Sequence, residues 1–222
     1  MNISFFFVTL TSPLILFFGI IVGLYYRKHL IGCFRLLLTY MVFGFVSELV
    51  LRFFGYYSIV KYNLFLIPIY ALLEFLLFSI LYYKHVVKSK SRFFLYFIFV
   101  LIALILIDLS RIGSMFNASS FQSYGKVIAD AGIVVFCLIY YLDVVKGKIK
   151  PTFELNLLNA ASITFFSLNL IIFLAINFLV NANYDIVMFF WNFNLVIVCL
   201  YYIIIIYLIW RNGKTRKSLR LV

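Results

Sequence analysis

Seven long apolar segments fix what this chain of 222 residues can fold into. A helix needs about 20 apolar residues to cross the hydrocarbon core of a bilayer. A single run of that length crosses as a helix, because its backbone must satisfy its own hydrogen bonds in lipid. The segments are 5–26, 36–57, 63–83, 93–112, 127–145, 157–180 and 187–210. They predict an all-α polytopic membrane bundle with seven transmembrane helices.

Composition supports one membrane domain over residues 1–222. The chain is 66% hydrophobic and 12% charged, and the connections between segments leave no room for a soluble domain. Residues 211–222 are predicted to form a short basic tail. The formal net charge is +12, but the basic residues sit between apolar segments instead of forming the basic face of a soluble domain. We therefore predict contact with the lipid bilayer and no binding of nucleic acid.

The distribution of lysine and arginine predicts the orientation, because these residues accumulate in cytoplasmic connections. Fifteen of the 19 basic residues fall in alternate connections and in the tail. They are Arg27, Lys28, Arg35, Lys84, Lys88, Lys90, Arg92, Lys146, Lys148, Lys150, Arg211, Lys214, Arg216, Lys217 and Arg220. The prediction is an N-terminus outside and a C-terminus in the cytoplasm.

Two glutamates, Glu48 and Glu74, lie near the centres of the second and third segments. A charged side chain at mid-bilayer depth costs about 2.5–3.5 kcal/mol even on lenient insertion scales, so it usually faces a protein interior or a wet cavity. Successive helices joined by a short loop normally pack antiparallel, which brings the two acids to similar depth. Arg52 follows Glu48 at the i,i+4 spacing that favours an ion pair.

The third segment carries a polar stripe formed by Asn63, Tyr70 and Glu74, which fall on one helical face. Glu74 has no basic residue at helical spacing. Two interpretations are open. Either Arg52 reaches Glu74 from the second helix and makes a structural ion-pair network, or Glu74 retains a proton and forms a proton-responsive site. Glu48, Arg52, Asn63, Tyr70 and Glu74 are the predicted ligand or proton site.

The stripe also carries a family resemblance. The stretch 63–75, which reads NLFLIPIYALLEF and is followed by Tyr82-Tyr83, resembles a pattern in a family of bacterial seven-helix integral membrane proteins. The family brings no established activity or ligand. The resemblance implies a multi-pass protein of the bacterial cytoplasmic (inner) membrane, and it marks Asn63, Tyr70 and Glu74 as the matching positions.

Two further charged pairs occur near the predicted outer ends of helices. Asp108 with Arg111, and Lys126 with Asp130, both have helical spacing. If they turn inward they form an outer vestibule of mixed charge above the glutamates. Alternatively, they reach the membrane interface and form ordinary ion pairs of little energetic weight.

The sixth segment and its approach carry three amides on one face, Asn156, Asn159 and Asn177. Amides within a membrane commonly hydrogen-bond neighbouring helices, at an average of about 0.6 kcal/mol each. We interpret them as helix-packing contacts, with a lining role in a polar cavity as the alternative. Asn169 lies on another face of this segment, and Asn194 lies near the outer end of the seventh.

The sequence predicts no catalytic residue, no metal site and no cofactor. His29 and His85 follow the inner ends of helices and lack clustered ligands. The three cysteines have no C-x-x-C spacing, and neither a G-x-S-x-G turn nor a phosphate-binding loop occurs.

Three functional hypotheses follow. The first is a non-enzymatic sensor or accessory protein that binds a small ligand or a membrane-protein partner, with a second copy of the chain as a further partner. The second is a small-solute or proton-coupled transporter in which Glu74 carries the proton. The third is a lipid-modifying enzyme that uses Glu48 and Glu74 as an acid–base pair.

Overall fold

The computed structural model of the protein describes residues 3–56, 66–88, 92–110, 124–179 and 184–219. All regular secondary structure in these ranges is helical, as the apolar segments predict. A π-helical turn at Tyr82–Val86 continues the third helix. The helices are α1 (Ile3–Tyr26), α2 (Cys33–Tyr56), α3 (Leu66–Leu81), α4 (Arg92–Leu109), α5 (Tyr124–Val145), α6 (Phe153–Leu179) and α7 (Tyr184–Leu219).

Six of these helices are long and apolar enough to cross a membrane. They are α2 to α7, with α3 counted together with its π-helical turn. The stretch Leu10–Tyr26 of α1 is a shorter apolar helix. The structure is therefore that of a multi-pass helical membrane protein.

The helices pack as a ring in which α7 closes back onto α1. The order around the ring is α1, α2, α3, α5, α6 and α7, and α2 also contacts α7. α4 packs against α3 and α5 outside the ring. Its outward face carries Phe93, Tyr96 and Phe99, each at least 64% exposed. Such a face suits contact with lipid, because water solvates a large aromatic surface poorly and hydrocarbon solvates it well.

The two ends of the ring differ in charge. We call the end where α1, α3, α5 and α7 finish the basic end, because most lysines and arginines lie there. α7 continues at this end through most of the segment that the sequence predicts to be a tail, and it stays helical to Leu219. Gly213 allows the close approach to α1, since a Cβ at this position would lie 2.5 Å from Tyr26 Cβ. Lys217 Nζ then donates to the Tyr25 hydroxyl at 3.1 Å.

A layer of aromatic side chains closes the interior of the ring about halfway along. This aromatic layer consists of Tyr40 of α2, Phe78 of α3, Phe166 of α6 and Tyr201 of α7, all at most 2% exposed. Phe78 makes edge contacts with Tyr40 and Phe166 at centroid distances of 5.2 and 4.9 Å. Such T-shaped pairs are favourable packings for aromatic rings. The layer separates the basic end from the opposite half of the bundle, where the glutamates lie.

Candidate functional site

Glu74 is the hub of the buried polar groups. Its side chain is 1% exposed and points from α3 into the ring. Oε1 accepts hydrogen bonds from the Tyr40 hydroxyl at 2.8 Å and from the Tyr70 hydroxyl at 3.2 Å. Oε2 accepts from Lys126 Nζ at 2.8 Å. The carboxylate is thus satisfied by three donors from three helices, which offsets much of the cost of burying it.

Lys126 is the basic partner of Glu74, in place of the Arg52 that the sequence suggests. It lies in the first turn of α5, which starts three residues before the predicted segment. Lys126 Nζ also contacts Asp130 Oδ1 at 2.6 Å, and both side chains are at most 4% exposed. The rings of Tyr70, Phe166 and Phe173 lie 5.7–6.0 Å from the ammonium. The predicted Lys126–Asp130 pair is therefore present, but it is a core element.

The buried cluster of Glu74, Lys126 and Asp130 is not neutral if every group is ionised. Two carboxylates face one ammonium, which leaves one negative charge. In the described part of the chain, Asp130 Oδ2 is buried and has no hydrogen-bond partner. Because an uncompensated buried charge is costly, the cluster favours an additional positive charge, either a proton or a cation.

Glu48 forms a second, separate polar group on α2. Its Oε1 accepts from Ser12 Oγ of α1 at 2.6 Å, and its Oε2 accepts from Arg52 at 3.1 Å. The Glu48 and Arg52 side chains are 23% and 32% exposed. The predicted i,i+4 pair is present, and its partial exposure makes its contribution to stability small. Glu48 and Glu74 thus form ion pairs with different basic residues, Arg52 and Lys126.

A cavity of about 150 Å³ lies between α2, α3, α5, α6 and α7 in the half of the bundle opposite the basic end. Glu48, Glu74 and Lys126 all border it. Most of the remaining wall is apolar and aromatic. The other lining residues are Gly44, Ser47, Leu51, Leu66, Ile67, Tyr70, Phe165, Asn169, Phe173, Trp191, Asn194, Val198 and Tyr202.

Two amides in this wall have oxygen atoms with unused capacity. Asn169 of α6 and Asn194 of α7 are 2% and 9% exposed. Within the described residues, no hydrogen bond reaches Asn169 Oδ1 or Asn194 Oδ1. Buried polar atoms normally have a partner, so these two acceptors have hydrogen-bonding capacity that a molecule in the cavity could use.

The amides grouped by the sequence lie elsewhere. Asn159 accepts from the Tyr82 hydroxyl at 2.9 Å and donates to the Cys137 carbonyl at 3.2 Å. Asn156 accepts from the Tyr140 hydroxyl at 2.6 Å. These bonds join helices on the basic side of the aromatic layer, as the packing interpretation has it.

Asn177 is buried in α6 but does not line the cavity. Asn169 and Asn194 line it instead. The sequence shows only that each of these asparagines lies within a predicted span. It does not indicate which face of the helix turns towards the interior of the bundle.

The remaining predicted residues divide into described and undescribed positions. Asp108, at the end of α4, accepts from the Gly125 backbone N–H at 2.7 Å, so its carboxylate faces the N-terminus of α5. That placement is favourable because a helix N-terminus carries partial positive charge. Asn63 and Arg111 lie outside the described residues.

The cavity combines hydrogen-bond acceptors with apolar surface. Carboxylates and amide oxygens supply acceptors, and the aromatic wall supplies apolar surface. Within the described ranges no group of three His, Cys, Asp or Glu side chains is arranged to hold a metal ion. Comparison with protein-family models, curated proteins and solved structures found no match.

Lys126→Met tests the central role of the buried cluster. It leaves two buried carboxylates without their shared cation, so we expect the free energy of unfolding to fall by about 3–5 kcal/mol. Adding Glu74→Gln and Asp130→Asn should restore most of the loss, because no buried charge then remains. Denaturation in detergent micelles measures the change.

The matched control is Arg52→Met, which breaks the partly exposed pair with Glu48 and should cost about 1 kcal/mol or less. A Lys126→Met variant no less stable than Arg52→Met would show that the buried cluster is not central to the fold.

Proposed function

We propose that the protein is a non-enzymatic sensor or accessory protein that binds a small amphiphilic molecule in the cavity bordered by Glu48 and Glu74. The observation that carries this proposal is a pair of buried acceptors, Asn169 Oδ1 and Asn194 Oδ1, which have no partner among the described residues and lie in a largely apolar and aromatic wall. Small-molecule sites typically combine such an apolar wall with a few converging polar groups.

A purely structural role fits these contacts less well. A dry ion-pair cluster is favourable when its members use up one another's hydrogen-bonding capacity. Here Glu74 and Lys126 border a void of about 150 Å³. An unmet buried acceptor costs about 1–3 kcal/mol, and a ligand that donates hydrogen bonds to both amides removes that cost.

The proposal includes the membrane topology. We place all seven helices across the bacterial cytoplasmic membrane, with the N-terminus outside and the basic end in the cytoplasm. The support is the concentration of lysine and arginine at one end of the ring. In this orientation the cavity lies in the outer half. Membership of the bacterial seven-helix family marked by Tyr70 and Glu74 is part of the same proposal.

The inner end offers a route for output. α6 and α7 each contribute to the cavity wall one amide oxygen that lacks a partner among the described residues, and both helices continue to the basic end. There Arg211 pairs with Glu154 at 3.0 Å, and its guanidinium lies 4.0 Å from the Phe153 ring centroid. A ligand that bridges the two amides changes the position of α6 relative to α7. A membrane partner, or a second copy of the chain, that contacts these helices at the basic end would detect this change.

A proton-coupled transporter is the second candidate, favoured by the excess carboxylate in the cluster of Glu74, Lys126 and Asp130. Embedded carboxylates of this kind serve proton relays in pumps and transporters. The aromatic layer argues for binding without transport in this conformation. It closes the route from the cavity to the basic end with fully packed rings.

Filling the cavity should displace the natural ligand. Val198→Phe places a larger side chain in the cavity wall. Val196→Phe makes the same change at a residue that is 56% exposed on the outside of the bundle. We expect native mass spectrometry of protein taken from its own membranes to show a bound small molecule with the parent and Val196→Phe, and not with Val198→Phe. If no small molecule accompanies the parent, and no member of a broad metabolite panel binds it, the proposed function is wrong.

Two epitope tags test the topology. One tag precedes Met1 and the other follows Val222. In intact spheroplasts, added protease should remove the N-terminal tag, and it should reach the C-terminal tag only after lysis. If both tags lie on the same side of the membrane, the number of spans is even, and α1 is then not a transmembrane helix.

Proton flux into proteoliposomes separates binding from transport. Under an imposed membrane potential, we expect acidification of the lumen to match that of protein-free vesicles, because the aromatic layer blocks the inner half. Glu74→Gln and Glu154→Gln serve as a matched pair, since only Glu74 borders the cavity. Flux that is abolished by Glu74→Gln and retained by Glu154→Gln would establish the transporter.

A further inference from the structure

We infer that the cavity takes a small organic ammonium ion, an amine-bearing molecule with a compact aromatic or apolar body. This inference rests on the proposed function and names the chemical class of its ligand. It depends on three independent properties of the site: its net charge, the kind of hydrogen-bonding atoms it leaves unused, and the shape and composition of its wall.

The charges favour a cation. The described acidic and basic side chains at and next to the cavity are Glu48, Arg52, Glu74, Lys126 and Asp130. Three acids and two bases leave one negative charge when all are ionised. A monovalent cation neutralises this charge, whereas a carboxylate or phosphate ligand would add further negative charge in a medium of low dielectric constant.

The unused hydrogen-bonding atoms favour a ligand with several donors. In the described part of the chain, the atoms in this wall without a hydrogen-bond partner include Asn169 Oδ1 and Asn194 Oδ1, and both are acceptors. A primary ammonium has three donors and no acceptor, so it matches this set. A hydroxyl has one donor, so it satisfies at most one of the two amides. Hydrogen bonds from an ammonium are also stronger, because the donor is charged.

The wall favours an organic cation with an apolar body. Phe173 and Trp191 make an edge contact at a centroid distance of 5.9 Å, and Phe165 lies in the same wall. These rings attract a cation through their faces and also cover a hydrocarbon body. A volume of about 150 Å³ is comparable to that of an engineered protein cavity that holds benzene. Benzylamine is therefore a suitable probe.

Trp191 provides a direct reading of binding. The chain has two tryptophans, and Trp210 lies at the basic end, where its ring contacts Lys214. The Trp210→Phe variant therefore leaves Trp191 as the single reporter, in the wall of the cavity. In lipid nanodiscs, its fluorescence is measured during titration with benzylamine, benzyl alcohol and benzoate, three probes of nearly equal size that differ in charge.

We expect benzylamine to bind with a dissociation constant about tenfold or more below that of benzyl alcohol, because its hydrogen bonds are charge-assisted. Benzoate should not bind. In the same Trp210→Phe background, Asn169→Leu and Asn194→Leu should each weaken benzylamine binding severalfold. Asn192→Leu, which makes the same change at an exposed position of α7, should leave it unaltered.

The comparison among probes uses one folded protein, so it stands even if an asparagine variant fails to fold. Equal or tighter binding of benzyl alcohol or benzoate at Trp191 overturns the ammonium class and leaves the proposed binding function intact. Failure of all three probes also overturns the class. The proposed function is then judged separately, by whether Val198→Phe removes a ligand that accompanies the native protein.

Discussion

The contact between Glu74 and Lys126 determines how the rest of this bundle is arranged. In a hydrocarbon interior neither charge is tolerable alone, and the 2.8 Å pair joins α3 to α5. Tyr40 extends the same network to α2. Three helices of the ring are thus fixed around one carboxylate. Once α3 and α5 are joined directly, α4 has no place between them, and its apolar surface turns outward.

Tyr40 also belongs to the aromatic layer, so the network lies next to the layer that divides the interior into two halves. On the basic side of the aromatic layer, the Tyr82 hydroxyl donates to Asn159 and the Tyr140 hydroxyl donates to Asn156. On the other side, Asn169 and Asn194 leave acceptors open beside a void. The same residue type therefore serves packing in one half and, on the proposed function, recognition in the other.

Much of the fold follows from local sequence patterns, whereas the site depends on relations between distant segments. Run length predicts the helices, and helical spacing predicts the pairs Glu48–Arg52 and Lys126–Asp130. No such rule connects Lys126 to Glu74, 52 residues apart, because packing order around a ring is not encoded in hydropathy. The assumption that successive helices share their charges points to Arg52, and the placement of α4 outside the ring makes Lys126 the neighbour.

A closed aromatic layer has a consequence for any ligand that enters the cavity. The ligand meets packed rings at Tyr40 and Phe78, so its binding energy cannot drive it further without separating those contacts. On the proposed function, the ligand instead bridges two amides, one on α6 and one on α7, and so changes how these helices are held together. Both helices pass the layer intact and meet again at the Glu154–Arg211 pair. Because packed helices move as rigid elements, a small rotation at the cavity reappears at the basic end. The proposed sensor role therefore needs only a change of helix position, whereas transport would need the aromatic layer to open.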